Sequence, residues 1–224
     1  MDHEQVNDDG TSQMIELYMF KILVVGESGV GKTSFVRRYV NGQFTSNYKA
    51  TIAVDFATKI VKWNDNCQIN LFLWDLAGQE RLGTQTQAYF RETHGVVFVY
   101  DIGMNDEQNK INAWKQLLDE RCTLNEEPHK SPSILLVNKC DIQGGIDNVD
   151  IKRIDTMAKE LGLIGAYPIS AKTGEGVDKA MIALLRHLTK AQRLTMSGKH
   201  PKLEQMDKVK LSSYKEGQSS SWCC

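Results

Sequence analysis

The sequence predicts an α/β fold: a six-stranded, mostly parallel sheet with one antiparallel edge strand and helices on both faces. Three observations carry this prediction. Short aliphatic runs recur along the chain and read as buried strands. Segments with apolar residues at helical spacing fall between them, which is the alternation that a covered parallel sheet requires. One pair of strand-like segments is joined only by a turn, so it must run antiparallel.

The elements follow in order. YMFKILVVG is a buried strand stopped by Gly26. KTSFVRRYVNG reads as a helix, with Phe35, Val36, Tyr39 and Val40 on one face and Gly42 near its end. IAVDFATKIVKW and QINLFLWD flank the turn-like NDNC and form the hairpin. GVVFVYD and SILLVNKCD are two more buried strands. Between them, Ile111, Trp114, Leu117 and Leu118 stand at helical spacing. IDTMAKELG reads as a helix ending at Gly162, AYPIS as a short last strand, and GVDKAMIALLRHLTKA as an amphipathic closing helix. Ligands of such sheets sit at the carboxyl ends of the strands. The chemistry is therefore expected in the loops that follow them.

The chain has 224 residues, of which 41% are hydrophobic, enough for one core. A net charge of −1 opposes nucleic-acid binding driven by overall charge. The expected layout is a flexible acidic extension over 1–17, a folded domain over 18–192 and a flexible tail over 193–224. In that tail six Lys/Arg outnumber three Asp/Glu. The acidic N-terminal stretch lacks the basic and apolar regions of a signal peptide, and no run approaches the roughly 20 apolar residues of a membrane span. Cys67, Cys122 and Cys140 show no CxxC spacing and read as free thiols in a reducing compartment.

GESGVGKT, residues 26–33, joins the first strand to the first helix and matches GxxxxGK[ST], a phosphate-binding loop. Gly26, Gly29 and Gly31 let the backbone wrap a phosphate, and its N–H groups meet the anion at a helix N-terminus. Lys32 reaches the β- and γ-phosphates, and the Thr33 hydroxyl suits Mg²⁺. NKCD, residues 138–141, ends a buried strand. Guanine presents two adjacent donors along one edge, which a carboxylate accepts, so Asp141 reads the base. Asn138 ties the loop together, and the Lys139 stem covers a ring face. In SAK, Ser170 to Lys172, the Ala171 N–H is placed for the guanine O6. In WDLAGQE, Asp75 is placed to hold Mg²⁺ through water, Gly78 to offer its N–H to the γ-phosphate, and Gln79 to orient an attacking water. Thr51 completes the Mg²⁺ shell only when a γ-phosphate is present, which makes a switch.

GESGVGKT, Thr51, WDLAGQE, NKCD and SAK, in this order and spacing, resemble the Ras superfamily over about residues 18–190. IAVDF, the Trp before DxAGQE, AYFR and the terminal cysteine pair are similar to its Rab branch. The resemblance implies a P-loop NTPase G domain, a GDP/GTP switch that hydrolyses GTP slowly without an activating protein and regulates vesicle traffic. It implies that Phe44 stacks on guanine, that Gly29, Val30, Gly31, Lys32, Thr33 and Ser34 hold the phosphates, and that Tyr48 covers them. Ser28 occupies the loop position where bulky substitutions cripple hydrolysis. Phe56, Trp74 and Tyr89 match the aromatic triad shown to effectors. Cys223 and Cys224 match the double-cysteine end that receives two geranylgeranyl groups, where one chain binds a membrane marginally and two bind it stably.

The implied partners are an exchange factor, a GTPase-activating protein, a GDP-dissociation inhibitor, a prenylation escort protein and membrane effectors. No nucleic acid is implied, and the G domain is expected to be monomeric. Leu76 stands where most Rabs have Thr; with YKATIAVDFATKI it is similar to the branch serving lysosome-related organelles. That places the chain on the cytoplasmic face of endomembranes, cycling with the cytosol. Ala53 replaces a usual Gly and Leu82 a usual aromatic, both on partner-reading surfaces. Two alternatives stand beside this reading. A P-loop kinase or ATPase leaves NKCD unexplained, and a GTP-binding scaffold without hydrolysis is opposed by Gln79 and Ser28.

Overall fold

A computed structural model describes residues 3–6, 12–47, 51, 54–78, 87–104, 107–121, 123–124, 127–128 and 131–196. In chain order the elements begin with β1 (His3–Val6), β2 (Ser12–Val25), α1 (Lys32–Asn41), β3 (Val54–Asn64), β4 (Cys67–Leu76), α2 (Gln87–Phe90), β5 (Gly95–Asp101) and α3 (Glu107–Arg121). They continue with β6 (Thr123–Leu124), β7 (Glu127–Pro128), β8 (Ser133–Asn138), α4 (Ile151–Glu160), β9 (Gly165–Pro168) and α5 (Val177–Met196).

The main sheet runs in the order β3-β4-β2-β5-β8-β9. Only β3 is antiparallel to its neighbour on this path; the other pairings are parallel. The expected six-stranded α/β sheet with one antiparallel edge strand is therefore the fold. The hairpin forms because alternation in β3 leaves one face exposed, as an edge strand allows, while Asp65 and Asn66 turn the chain.

β2 explains why both faces are covered. Successive side chains point to opposite faces, and Ile22, Leu23, Val24 and Val25 are all fully buried. Ile22 and Val24 join Phe35 and Tyr39 of α1 and Met181, Leu184, Leu185 and Leu188 of α5 in one core cluster. Leu23 and Val25 join Ile111, Trp114 and Leu118 of α3 and Ile154, Met157 and Ala158 of α4 in the other. Each such side chain contributes about 1.5–3 kcal/mol by leaving water. The parallel strands of this sheet deliver the loops at their carboxyl ends to one rim.

The N-terminal expectation needs correcting. Residues 12–17 belong to β2 rather than to a flexible extension, and His3–Val6 pairs antiparallel with Ser12–Ile15. Residues 7–11 between them lie outside the described residues. Glu16 and Leu17 continue into parallel pairing with Cys67 and Gln68 of β4. The strand thus starts early because its first residues pair with β1 and the next ones with β4.

The backbone divides into two compact units, Met1–Thr189 and Lys190–Cys224. Of the second, residues 190–196 are described and are helical, so helix extends past the boundary expected at 192. Cys67 and Cys140 are buried free thiols, as expected, while Cys122 lies outside the described residues.

Candidate functional site

The loop after β2 turns into α1 through Gly31, which has φ 94° and precedes Lys32. Any side chain at Gly31 would be strained there, and its Cβ would overlap the Asn138 amide nitrogen. Lys32 is 5% exposed. Its Nζ donates to Gly26 O at 2.9 Å and Glu27 O at 2.8 Å, so the side chain folds over its own loop. Burial pulls its pKa down to about 8, against the opposing pull of Asp75 and Glu27. Ser28 and Gly29 are exposed at the loop crest, and Ser34 is half-buried.

Three oxygens converge below the loop. Thr33 Oγ1 lies 2.7 Å from Thr51 Oγ1 and donates to Asp75 Oδ2. They come from α1, from the approach to β3 and from the end of β4. Asp75 is 2% exposed, and burial pushes its carboxyl up to about 6 despite the Thr33 hydrogen bond and the Lys32 charge. Its Oδ1 has no hydrogen-bond partner among the described residues. A buried carboxylate with an open lone pair beside two hydroxyls is the oxygen-only donor set that a hard divalent cation takes. The residues therefore fit Mg²⁺. Gly78 packs against this loop: a Cβ on it would overlap Ser28 N and the Glu27 carbonyl carbon, so only glycine permits the approach.

The base-reading loops are joined by one buried amide. Asn138 Nδ2 donates to Val30 O at 2.8 Å, and its Oδ1 accepts the Ala171 N–H at 3.0 Å. The phosphate loop, NKCD and SAK are thereby one unit. Asp141 accepts from the Ser170 hydroxyl at 2.7 Å, and Lys172 Nζ lies 3.7 Å from its other oxygen. Lys139 has φ 65° and pairs with Asp101 at 2.7 Å. One expectation changes here. The Ala171 N–H is engaged by Asn138 Oδ1, so a guanine O6 would have to share it.

Phe44 is 37% exposed in the segment that follows α1. Phe56 and Trp74 pack edge to face with centroids 4.5 Å apart, and Trp74 lies 6.1 Å from Tyr89. The three aromatics are thus one cluster, with Phe56 53% exposed. Lys21, which sequence reasoning missed, places its Nζ 3.8 Å from the Trp74 ring centroid and donates to Arg91 O at 2.7 Å. Leu76 is fully buried in the core under this surface and presents nothing to a partner. Tyr48, Ala53, Gln79, Leu82, Cys223 and Cys224 lie outside the described residues. Among the described residues no helix is long and apolar enough to cross a membrane.

The loop before α1, the NKCD and SAK segments and the Thr33–Thr51–Asp75 cluster meet on one rim, the arrangement of a nucleotide-binding α/β protein. Residues 21–190 match the model of the Ras family, and the chain belongs to that family. It is similar to Ras-related protein Rab-32 of Homo sapiens, 37% identical over 211 residues, covering 92% of this chain and 90% of the relative. Ras-related protein Rab-7L1 of Homo sapiens is 38% identical, covering 92% and 97%. Ras-related protein Rab-32A of Dictyostelium discoideum is 35% identical, covering 85% of each. The chain is accordingly a small GTPase of the Rab type, a GTP-hydrolysing switch of membrane traffic.

Proposed function

We propose that this GTPase binds GTP with Mg²⁺ at the rim described, recruits effectors to endomembranes in that state, and releases them after hydrolysis. The observation that carries the reading is the convergence of Thr33, Thr51 and Asp75 beneath the phosphate loop. The Thr33 and Thr51 hydroxyls would ligate Mg²⁺ directly and Asp75 through water. The bound ion would neutralise charge on the β- and γ-phosphates.

The chain's own groups do the rest. Lys32 is held over the loop by two carbonyls, and its ammonium exchanges them for phosphate oxygens. The loop N–H groups from Gly29 to Ser34 bind the anion at the start of α1. Gln79 positions the attacking water. A glutamine is no strong base, so its contribution is orientation in a loose transition state. Asp141 accepts the two guanine donors while Ser170 holds its carboxylate in place. Thr51 engages only with triphosphate, and the nearby Phe56–Trp74–Tyr89 cluster meets effectors.

Leu76 and the YKATIAVDFATKI stretch favour late endosomes or lysosome-related organelles as the site of action. Residues after α5 serve as a mildly basic tether, and Cys223 and Cys224 carry geranylgeranyl groups. An exchange factor, an activating protein, a dissociation inhibitor and an escort protein complete the cycle.

The test is competition and single turnover on the full chain. Labelled GDP is expected to be displaced by GDP and GTP and not by ADP, and Gln79→Leu to slow hydrolysis on the order of tenfold or more. Displacement by ADP at equal concentration, or an unchanged rate in Gln79→Leu, would contradict it.

A further inference from the structure

Arg38 stands in the last turn of α1. Its guanidinium reaches three backbone carbonyls on two separate segments. Nε donates to Ala171 O at 2.9 Å and Nη2 to Lys172 O at 2.5 Å, both in the loop after β9. Nη1 donates to Gly42 O at 2.5 Å, just past the end of α1. The Arg38 carbonyl also accepts the Gly42 N–H at 3.0 Å, so backbone and side chain hold the same residue. Gly174 rests on the stem: a Cβ there would sit 3.4 Å from Arg38 Cδ.

In the proposed function these two segments flank the base from different sides. Ser170, Ala171 and Lys172 are tied to Asp141 and Asn138, the base loop. Gly42 leads directly to Phe44, the residue read as stacking on the base. The chemistry suits arginine and no other side chain. Its planar fork can reach several carbonyls at once, whereas the lysine ammonium is a compact point charge. Carbonyls at a helix C-terminus also carry partial negative charge, which favours a cation there.

We propose that Arg38 is a positioning residue for nucleotide retention: it clamps the two walls of the guanine pocket together and slows nucleotide release without taking part in hydrolysis. The inference rests on reading residues 138–141 and 170–172 as base-binding loops. The hydrogen bonds of Arg38 go to neither the phosphate loop nor the Thr33–Thr51–Asp75 cluster. Opening the clamp therefore acts first on the base end of the nucleotide, while the Asn138 tie to the phosphate loop stays in place.

The experiment loads the full chain with methylanthraniloyl-GDP and follows release into excess unlabelled GDP. The wild type is compared with Arg38→Ala, Arg38→Lys and, as a control, Arg186→Ala on the exposed face of α5. Release is expected to quicken about tenfold in Arg38→Ala, since charge-assisted hydrogen bonds are the strong ones. It should be intermediate in Arg38→Lys and unchanged in Arg186→Ala. Single-turnover hydrolysis of preloaded GTP should stay within about twofold in every variant. Wild-type release from Arg38→Ala, or hydrolysis that slows in step with faster release, overturns the inference. If Arg38→Ala does not fold, a folded Arg38→Lys that releases at the wild-type rate overturns it equally. Failure of the wild type to bind labelled GDP would instead overturn the base-loop reading, and it would show before any variant is made.

Discussion

The Thr33 and Thr51 hydroxyls lie 2.7 Å apart, although Thr33 opens the first helix and Thr51 precedes the edge strand. That contact joins the start of α1 to the segment that leads into β3. Thr51→Val removes the hydroxyl and keeps the shape. Triphosphate affinity in Mg²⁺ should fall about tenfold, while GDP affinity changes little. Thr33→Asn should weaken both Mg²⁺ and GTP binding and hold the protein in its GDP form. Calorimetry of both variants with each nucleotide decides the matter: equal losses for GDP and GTP in Thr51→Val would remove its switching role.

Asp141 is held by Ser170 at 2.7 Å, with Lys172 Nζ 3.7 Å from its other oxygen, so its carboxylate is fixed in one orientation. Asp141→Asn should lose guanine preference by about a hundredfold or more, because a site built to pair donors rejects their mismatch strongly. Xanthine, whose edge differs at one donor, should be accepted instead. Competition among GDP, XDP and ADP reads this directly, and a retained guanine preference would exclude Asp141 as the base reader.

The Cys140 thiol sits inside the base loop, fully buried, and donates to Val137 O. Burial pushes its pKa up to about 11. The thiolate is the reactive form, so at pH 8 only about one molecule in a thousand carries it. Iodoacetamide at pH 8 should leave Cys140 unmodified in the folded protein and modify it rapidly in denaturant. Raising the pH toward 11 should increase the thiolate fraction and speed modification of whatever folded protein persists. Peptide mass spectrometry gives the answer. Prompt labelling at pH 8 under native conditions would show the thiol to be accessible and ionised.

Phe56 is 53% exposed while its neighbour Trp74 is half-buried beneath Lys21. Phe56→Ala should therefore cost less than about 1 kcal/mol of stability. It should nevertheless abolish binding to effectors that read the aromatic cluster, without changing nucleotide affinity. Trp74→Ala should cost more stability, because it also removes the ring under the Lys21 ammonium. Denaturant midpoints alongside pull-down of GTP-loaded protein separate the two effects. Undiminished effector capture by a folded Phe56→Ala would place the docking surface elsewhere.

The sheet was legible in the sequence because both of its faces are buried. A strand such as ILVV has no polar alternative, and the helices between strands repeat their apolar residues where cores demand them. The residues that meet at the rim, Lys32, Thr33, Asp75, Asn138, Asp141 and Ala171, could be named from the sequence because each sits at a fixed offset within a short motif. Other features depend on contacts across long sequence distances. Arg38 looks like an ordinary basic residue on a helix until its fork is seen on Ala171 and Lys172. Lys21 alternates out of a buried strand, and nothing local says that a tryptophan lies beneath it. The polar start of the chain suggested looseness, yet its backbone groups find partners in β2. The hydrogen bond from the Ala171 N–H to Asn138 Oδ1 likewise joins residues 33 positions apart, and nothing local in either motif announces it.

The pleat of β4 has a further consequence. Asp75 and Trp74 are neighbours in the chain and point to opposite faces, matched across the ladder by Asp55 and Phe56. One row carries the buried Asp75 carboxylate beneath the phosphate loop; the adjacent row carries the Trp74 and Phe56 rings. Substitutions in the outer row can retune who is recognised while the inner row keeps its chemistry. A shift of register by a single residue would exchange the two rows and ruin both. Diversity among such switches is therefore expected to accumulate by replacing side chains along this hairpin, and hardly ever by changing its length.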